Sequence, residues 1–301
     1  MKFTAKSLLC AALTALCTIT VQAQTQSDQN GIKVRFLGTG AADWVGHMKG
    51  DGFRRLTSIL VDGTVLVDFT ASDEDMLPDG CRPETIFYTH SHSDHFNAEA
   101  ALKAGVRNVY LSETWQADAK KEFRKAAKAT GLKMPKITAL ELYSSATVNG
   151  ITFTALPANH ATSRQYEQAL IYLIEKDGTR LLYATDTGGI MAGAARAADI
   201  DSHNKEYTPI HGFIMEATMG LSGDEDFRLF SHSSVGTVLR TANMLLKTGR
   251  YTPAEGQNVY LTHLARTLHG TQAELDSTLP SPLKAAYDGL EVVFVKPEIR
   301  Q

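Results

Sequence analysis

The spacing of apolar and polar residues along the chain predicts two groups of β-strands. Residues 32–37 alternate apolar and basic side chains, which is typical of a half-exposed strand. Residues 56–60 and 64–69 flank one Asp-Gly turn, and residues 169–175 and 179–184 flank another, so each pair predicts a β-hairpin. Further strands are predicted at 84–89, 109–111, 137–143, 146–149, 151–156, 211–216, 258–262 and 289–295.

Helical patterns separate these strands. Residues 97–104, 114–130 and 233–247 predict helices, and residues 190–205 predict a weaker one. Charged residues crowd one side of the 114–130 segment, which is most simply a solvated face. Two β-rich halves that each carry helices predict an α/β chain, folded as one sandwich domain with the helices outside.

Composition narrows the class of protein. The chain has 301 residues, of which 43% are hydrophobic and 21% charged, so it is long enough for one large α/β domain. Its formal net charge is −3. Since there is no basic excess, a nucleic-acid polymer is not an expected partner.

The first 23 residues have the pattern of a secretory signal peptide. Lys2 and Lys6 precede a mostly apolar stretch at 8–21, and small residues precede Gln24, where cleavage is expected. We therefore predict an exported protein, periplasmic or extracellular. Its single domain would span residues 24–301 and be free of the membrane once the signal is removed.

Cysteine usage fits an exported protein that relies on its core. Cys10 and Cys17 lie in the signal, so Cys81 has no partner for an internal disulfide and is predicted to be structural. A lipoprotein anchored through Cys10 or Cys17 is the alternative. It is disfavoured because leucine precedes each of them, where a small residue is wanted.

The most distinctive stretch is His90-Ser91-His92-Ser93-Asp94-His95, directly after a predicted strand. Neutral imidazoles and carboxylates are ligands that zinc and similar divalent cations prefer. Without a metal, side chains crowded in this way would repel one another as cations or be buried without hydrogen-bond partners. The stretch therefore predicts a metal site.

Three more potential ligands follow other predicted strands, namely His160, Asp186 and His263. Because reactive groups collect on loops at the C-terminal ends of strands, all seven side chains can converge on one cleft. Five histidines and two aspartates suit two divalent metal ions about 3.5–4 Å apart with one bridging carboxylate. Zinc is expected, and manganese or iron would accept the same ligand types.

The H-x-H-x-D-H motif at 90–95, followed in order by a histidine, an aspartate and a histidine, resembles that of the metallo-β-lactamase-fold metal-dependent hydrolases. The resemblance covers essentially the whole mature chain and implies a four-layer αβ/βα sandwich. It also implies a nucleophilic hydroxide between two metals. By position, it assigns one metal to His90, His92 and His160 and the second to Asp94, His95 and His263, with Asp186 bridging.

Further residues resemble the tRNase Z-like and phosphodiesterase-like branch of these hydrolases. Many β-lactamases of this fold have cysteine where this chain has Asp186. Residues 215–218 and 231–234 resemble the H-E-A-T and H-S-T motifs of the branch, although Met215 replaces the first histidine. The acid of the first motif here is Glu216.

The resemblance implies that His232 protonates the leaving oxygen and that Glu216 orients His232. With the ligand Asp94, these are the predicted catalytic residues. The alternative for Glu216 and His232 is a surface acid and a histidine at a helix start. Four other histidines are expected outside the site, namely His47, His203, His211 and His269.

The predicted function is a secreted dinuclear-metal phosphodiesterase acting on a small-molecule substrate such as a cyclic nucleotide. A hydrolase of lactones, thioesters or β-lactams on the same metals is the alternative, and a non-catalytic metal-binding module is another. A tRNA-processing role is disfavoured by export. The 26 positions from His160 to Asp186 also leave little room for an RNA-gripping arm.

Overall fold

A computed structural model describes residues 31–221 and 227–298 of the chain. The predicted signal peptide at 1–23 lies outside the described residues, and so do residues 222–226. In the part of the chain that is described, no helix is both long and apolar enough to cross a membrane.

Two seven-stranded sheets form the centre of the fold. The strands of the first sheet are β1 Ile32–Gly38, β2 Ser58–Val61, β3 Val65–Val67, β4 Thr85–Phe87, β5 Asn108–Ser112, β6 Lys136–Leu140 and β14 Glu291–Phe294. Their order in the sheet is β14-β1-β2-β3-β4-β5-β6. The strands from β3 to β6 are parallel to one another, and the remaining pairs are antiparallel.

The second sheet has the order β13-β12-β11-β10-β9-β8-β7. Its strands are β7 Ser145–Val148, β8 Ile151–Pro157, β9 Leu170–Lys176, β10 Thr179–Ala184, β11 Gly212–Glu216, β12 Val259–Thr262 and β13 Leu283–Ala285. Strands β10 to β13 are parallel, and β7 to β10 are joined by antiparallel pairings. Strand β8 therefore runs in the same direction as β10, and both end at the same edge.

Helices cover the outer face of each sheet. The α-helices are α1 Ala98–Ala104, α2 Gln116–Thr130, α3 Ala192–Ala197, α4 Val235–Lys247 and α5 Gln272–Thr278. Short 3-10 helices occupy Ala42–Trp44, Ala71–Met76, Glu113–Trp115 and Phe227–Phe230. Side-chain caps begin several α-helices; Asn97 accepts the Ala100 N–H of α1, and Ser234 accepts the Thr237 N–H of α4.

Three apolar layers hold the sandwich together. Along β10, Leu181 and Tyr183 pack between the two sheets, whereas Leu182 and Ala184 pack beneath α3 and α4. This strand is buried on both faces because successive side chains of a strand point to opposite sides. Between the sheets, the Phe87 ring of β4 stacks on Phe153 of β8 with centroids 4.1 Å apart. The third layer joins the first sheet to α1 and α2.

The fold class predicted from the sequence, an α/β four-layer sandwich, is confirmed. The strands and long helices lie near their predicted positions. Helix α3 is shorter than the predicted segment 190–205, since only Ala192–Ala197 is helical. The sequence analysis missed α5 and β13, which are short and lack a long apolar pattern of their own.

Candidate metal centre and active site

The seven predicted ligands meet at one edge of the sandwich, where strands from both sheets end. His90 follows β4, Asp186 follows β10 and His263 directly follows β12. His160 follows β8, which runs in the same direction as β10. The chain direction of these strands therefore brings residues far apart in sequence to a single place.

Four of these side chains form a first group, namely His90, His92, His160 and Asp186. One nitrogen or oxygen from each lies within 4.8 Å of those from the others. Nε2 of His160 is 3.2 Å from Nδ1 of His92. The nitrogens Nε2 of His90 and of His160 are each 3.6 Å from Oδ2 of Asp186.

Asp94, His95 and His263 form a second group with the same 4.8 Å limit. Nε2 of His95 is 3.4 Å from Oδ2 of Asp94, and Nε2 of His263 is 3.3 Å from the same oxygen. All three residues are buried. The grouping coincides with the division between two metals that the sequence analysis predicted.

The carboxylate of Asp186 lies between the two groups. Its Oδ2 faces the histidines of the first group, whereas its Oδ1 is 3.2 Å from Nε2 of His95 and 3.2 Å from Nε2 of His263. Each carboxylate oxygen of Asp186 thus contacts a different ligand group. A carboxylate placed in this way could bridge two cations.

The side chains in the centre fit divalent cations. The buried Nε2 atoms of His90 and His95 have no hydrogen-bond partner, although buried polar atoms ordinarily have one. Burial lowers the pKa of His90 well below its usual value, and it also lowers the pKa of His92 and His160. These imidazoles are therefore neutral at pH 7, which is the form that binds metal.

The two aspartates of the centre are ionised. Burial alone would raise the pKa of Asp186, but the neighbouring His263 and His95 hold it well below its usual value. Burial would also raise the pKa of Asp94, but His95 and His263 hold it well below its usual value. Both aspartates are therefore carboxylates, able to neutralise part of the charge of a bound cation.

The sequence analysis missed Asp68, a fully buried residue just after β3. Its Oδ2 is 2.8 Å from Nδ1 of His95, and it accepts hydrogen bonds from the backbone N–H and the hydroxyl of Thr89. Carboxylates in this position fix the ring orientation and basicity of a metal-binding histidine. A lone aspartate ending an apolar strand was the signal that could have found it.

Other hydrogen bonds orient the remaining rings. Nδ1 of His90 is 3.0 Å from Oγ1 of Thr89, and Nδ1 of His263 is 2.7 Å from Oγ1 of Thr218. Nδ1 of His160 donates to the carbonyl of Ser231 at 3.1 Å. Each of these three imidazoles thus presents Nε2 to the centre.

Unusual backbone conformations occur at the same edge. Asp68, Asp186 and His263 have φ values of 56°, 45° and 53°. Residues with a side chain seldom adopt this left-handed region, and its cost is about 1–3 kcal/mol per residue. From this conformation the side chains of Asp186 and His263 reach the centre, and that of Asp68 reaches the outer ring nitrogen of His95.

His232 and Glu216 form a pair beside the second group. Nδ1 of His232 is 3.0 Å from Oε1 of Glu216, whose carboxylate also accepts the N–H groups of Thr187 and Thr218. Glu216 is fully buried at the end of β11. Burial would lower the pKa of His232, but Glu216 and more distant carboxylates raise it to about 9. His232 therefore carries a proton at pH 7.

The ring of His232 faces the metal ligands. Its centroid is 4.9 Å from that of His160 and 5.5 Å from that of His263. A ring nitrogen of His232 also lies within 4.8 Å of ligand atoms of Asp186 and His263. Both residues of the predicted general-acid pair are thus placed beside the ligands, and Glu216 is not a surface acid.

A buried carboxylate from the loop after His160 holds the H-x-H-x-D-H turn. Oε1 of Glu167 accepts the N–H of Ser91 at 2.7 Å, and its other oxygen accepts the Ser91 hydroxyl. Ser91 lies between His90 and His92 in the chain. The sequence analysis did not identify Glu167, since nothing local distinguishes it from a solvated acid.

The four histidines expected outside the site are absent from the two ligand groups. His203 is exposed and pairs with Asp201, and His211 is buried at the far end of β11. His269 is near the site, since its Nε2 donates to the carbonyl of Ala217 at 2.6 Å. Met215, which replaces a motif histidine, points into the core beneath α4.

Comparison with known proteins identifies the fold. Residues 68–203 match the family described as the β-lactamase superfamily domain. This segment begins at Asp68 and contains six of the seven ligands, all except His263. A search of curated proteins finds no match.

Solved structures resemble the chain over most of its length. A diphosphatase from the PhnP family matches at 19% identity and a TM-score of 0.60, over 88% of this chain and 97% of its own. Yeast PDE1 matches at 12% identity and a TM-score of 0.62, over 88% and 99%. Zinc-bound PqqB from Methylobacterium extorquens matches at 16% identity and a TM-score of 0.60, over 86% and 99%. At these identities the likeness establishes a common fold.

Proposed function

We propose that this chain, which has the metallo-β-lactamase fold and whose residues 68–203 match the β-lactamase superfamily domain, is a dinuclear-metal phosphodiesterase that cleaves a small phosphodiester. The observation that carries the proposal is the His232–Glu216 pair, with Nδ1 and Oε1 3.0 Å apart beside the ligand cluster. A proton donor in this position serves an alkoxide leaving group.

The metal assignment follows the two groups. His90, His92 and His160 would hold one ion, Asp94, His95 and His263 the other, and Asp186 both. When bound, the two cations would lower the pKa of water toward neutrality and neutralise negative charge on the substrate. We propose zinc, because histidine and carboxylate sets suit it, and PqqB on the same fold binds it.

Residues of the chain itself would supply the proton that the leaving oxygen needs. Glu216, buried and fixed by two backbone N–H groups, keeps His232 in one orientation with its proton available. His232 would donate that proton to the departing oxygen. Such general acids typically contribute 10²–10⁴-fold to a rate. A lactone or β-lactam hydrolase on the same ligands would not need this pair.

Substrate assays on the zinc-loaded protein test the proposal. Bis-p-nitrophenyl phosphate and a 3′,5′-cyclic nucleotide are compared with a lactone and a cephalosporin. We expect hydrolysis of the phosphodiesters at rates far above those for the carbon substrates. Activity on carbon substrates alone would mean that the enzyme belongs to the alternative class.

The role of His232 is tested separately with His232→Ala. The variant should lose far more activity on the cyclic nucleotide, which has an alkoxide leaving group, than on the nitrophenyl ester, whose leaving group needs no proton. His203→Ala, at an exposed histidine away from the site, is the control and should change neither. Equal losses on both substrates in His232→Ala would remove His232 as the general acid.

Metal content tests the dinuclear centre. Elemental analysis of protein purified without chelator should give two zinc ions per chain. Asp186→Ala, which removes the carboxylate shared by the two groups, should give fewer. A single ion in the wild-type protein would contradict the dinuclear proposal.

We also propose that the protein is exported and that its substrate is a small molecule rather than a nucleic-acid polymer. N-terminal sequencing of the protein from the periplasm or medium should begin at Gln24. A start at Cys17 or Cys10 would instead indicate a lipoprotein. Incubation with a precursor tRNA should give no cleavage, and cleavage at a defined site would contradict the small-molecule proposal.

A further inference from the structure

The loops that surround the candidate metal centre carry exposed apolar side chains. Tyr166 is 81% exposed and Phe230 is 75% exposed. Soluble proteins seldom collect such side chains in one region unless something binds there. The set, here called the apolar rim, comprises Tyr166, Met191, Leu221, Leu229, Phe230 and Leu268.

One side of the apolar rim lies against the first ligand group. The carbonyl of Ser231 accepts the Nδ1 proton of His160 at 3.1 Å, so the residue directly after Phe230 touches a ligand. The backbone of Phe230 also packs on Gly188, where a Cβ atom would come within 3.2 Å of the Phe230 carbonyl carbon. Phe230 is therefore held beside the loop that follows Asp186 and next to the residue that contacts His160.

The opposite side of the rim adjoins the second ligand group. The loop after His263 packs on the loop after Glu216, since a Cβ atom on Gly220 would be 2.7 Å from the carbonyl oxygen of Leu268. His269 reinforces this contact through the carbonyl of Ala217. Leu221 and Leu268 are thus on adjoining loops beside His263.

Tyr166 of the apolar rim lies on a third loop, which follows His160. It precedes Glu167, whose carboxylate binds Ser91 within the H-x-H-x-D-H turn. Arg164 of the same loop donates to Asp118 of α2 at 2.6 Å, so hydrogen bonds of Arg164 and Glu167, on either side of Tyr166, anchor the loop. The exposed phenol ring is therefore carried on an anchored segment.

We propose that the substrate is an amphiphilic phosphodiester, in which one ester group is a long hydrocarbon chain that lies on the apolar rim. The inference rests on the proposed phosphodiesterase function and names its substrate class. The centre brings together the residues that would hold the two proposed cations, and bound cations there would suit an anionic head group. The apolar side chains around it suit a hydrocarbon group attached to that head.

The arrangement favours a substrate over a second copy of the chain. The six side chains come from four separate loops, and each of these loops follows a candidate metal ligand or Glu216. A hydrocarbon chain attached to a phosphate at the centre would reach them directly. A flat partner surface would leave the charged centre buried and unpaired, which is costly.

Two synthetic substrates that differ only in the apolar group test the inference. Methyl p-nitrophenyl phosphate and octyl p-nitrophenyl phosphate have the same leaving group, and both are used below micelle-forming concentrations. We expect kcat/KM for the octyl ester to be at least about ten-fold higher, mainly through a lower KM, because each buried methylene contributes roughly four-fold. Equal values for the two esters would overturn the inference while leaving the phosphodiesterase proposal intact.

Variants of the rim locate the effect. Phe230→Ser and Tyr166→Ser, on different loops, should each lower the octyl-to-methyl ratio several-fold. Leu132→Ser, at an exposed apolar residue of the loop between α2 and β6, is the matched control and should keep the wild-type ratio. A ratio that falls equally in the control, or in none of the variants, would contradict the placement on the rim.

Two further outcomes separate the remaining explanations. If neither ester is hydrolysed by zinc-loaded protein, the phosphodiesterase proposal is wrong and this inference falls with it. If light scattering finds a dimer that Phe230→Ser converts to a monomer, the rim is an interface between copies. That result would overturn the assignment to substrate.

Discussion

At the scale of single residues, most of the candidate chemistry comes from side chains that are fixed by a buried partner. Asp68 fixes His95, Glu216 fixes His232, and Glu167 fixes the turn at Ser91. Each partner is a carboxylate with little or no exposed surface. A buried carboxylate needs several donors to offset its desolvation. Such residues therefore have only one stable orientation, and they impose it on the groups that they contact.

Asp68→Asn should weaken metal binding without unfolding the protein. The two oxygens of Asp68 accept from Thr89 and His95, whereas the uncharged amide has one acceptor oxygen and an NH2 group that only donates. The ring of His95 therefore loses its fixed orientation and part of its basicity. Loss of such a partner typically lowers metal affinity 10–100-fold. Competition with a chromophoric chelator measures the zinc affinity of the variant and of the wild-type protein.

The control for this variant is Asp73→Asn. Asp73 is also a fully buried aspartate, but its carboxylate accepts hydrogen bonds from Thr70 and Ser72 rather than from a ligand. Its replacement should change the free energy of unfolding and leave zinc affinity unaltered. Equal losses of zinc affinity in the two variants would show that Asp68 acts only through general stability.

His211 should make the protein less stable in mild acid. The ring is 2% exposed, and Nδ1 accepts the backbone N–H of Arg180 at 3.0 Å. Burial, with Lys296 and Arg180 nearby, lowers its pKa from 6.5 to about 4. Between these two pH values the unfolded chain binds a proton that the folded protein excludes, so the free energy of unfolding falls as the pH falls from 6.5 to 4.

The measurement compares wild-type protein with His211→Asn, whose amide oxygen can replace Nδ1 as acceptor. Urea unfolding of metal-free protein is followed at several pH values between 7 and 4. The wild-type protein should lose on the order of 2 kcal/mol more than the variant over this range, after allowance for solvent screening. Parallel pH profiles for the two proteins would refute the assignment to His211.

At the scale of elements, the ends of strands decide where the site forms. The turn after β1 brings Gly40 beside Leu56 and Leu264, and the latter directly follows His263. Gly38 is packed so tightly in this turn that a Cβ atom would lie 1.9 Å from the carbonyl oxygen of Leu56. Neither backbone can withdraw without disturbing the pairing of β1 with β2. Glycine is therefore required by close approach of two chains.

Two glycine-to-alanine variants should have opposite effects on stability. Gly38→Ala forces β1 and β2 apart and should cost about 2–4 kcal/mol, in the range of overpacking and strain. Gly236→Ala adds a methyl group in the first turn of α4, where the nearest atom would be 3.4 Å away. It should stabilise by about 0.5–1 kcal/mol, because alanine loses less backbone entropy in a helix.

Chemical denaturation of both variants provides the check. Since the two substitutions are chemically identical, any general effect of an added methyl group is common to both. The prediction is wrong if both variants shift the free energy of unfolding in the same direction.

At the scale of the whole molecule, the candidate metal centre links the two sheets. His90, His92, Asp94 and His95 follow a strand of the first sheet, whereas His160, Asp186 and His263 follow strands of the second. Asp186 of the second sheet contacts His95 of the first at 3.2 Å. Metal bound here would therefore cross-link both halves of the sandwich and favour the folded state.

Removal of metal should lower the melting temperature by on the order of 10 °C, since a loss of several kcal/mol in a protein of this size shifts Tm by 2–4 °C per kcal/mol. Calorimetry before and after treatment with a chelator measures the change, and added zinc should restore it. An unchanged Tm in protein shown to be metal-free would contradict the cross-linking role.

The sequence by itself predicted the candidate ligands and determined the general fold. The H-x-H-x-D-H motif is local, and its spacing after a strand is readable from a few neighbouring residues. The pattern of apolar positions likewise predicted most strands. These features depend on short-range periodicity, which any stretch of sequence displays directly.

Only the tertiary structure decided how distant residues combine. Three sets of contacts illustrate this: the two oxygens of Asp186 face different ligand groups, Asp68 supports His95, and Glu167 binds Ser91. They join residues that are 26 to 96 positions apart. Such pairs produce no periodic pattern in the sequence, because each contact depends on strand order and chain direction rather than on residues that are adjacent in the chain. The apolar rim has the same origin, since its side chains look like ordinary loop residues until the strand ends bring their loops together.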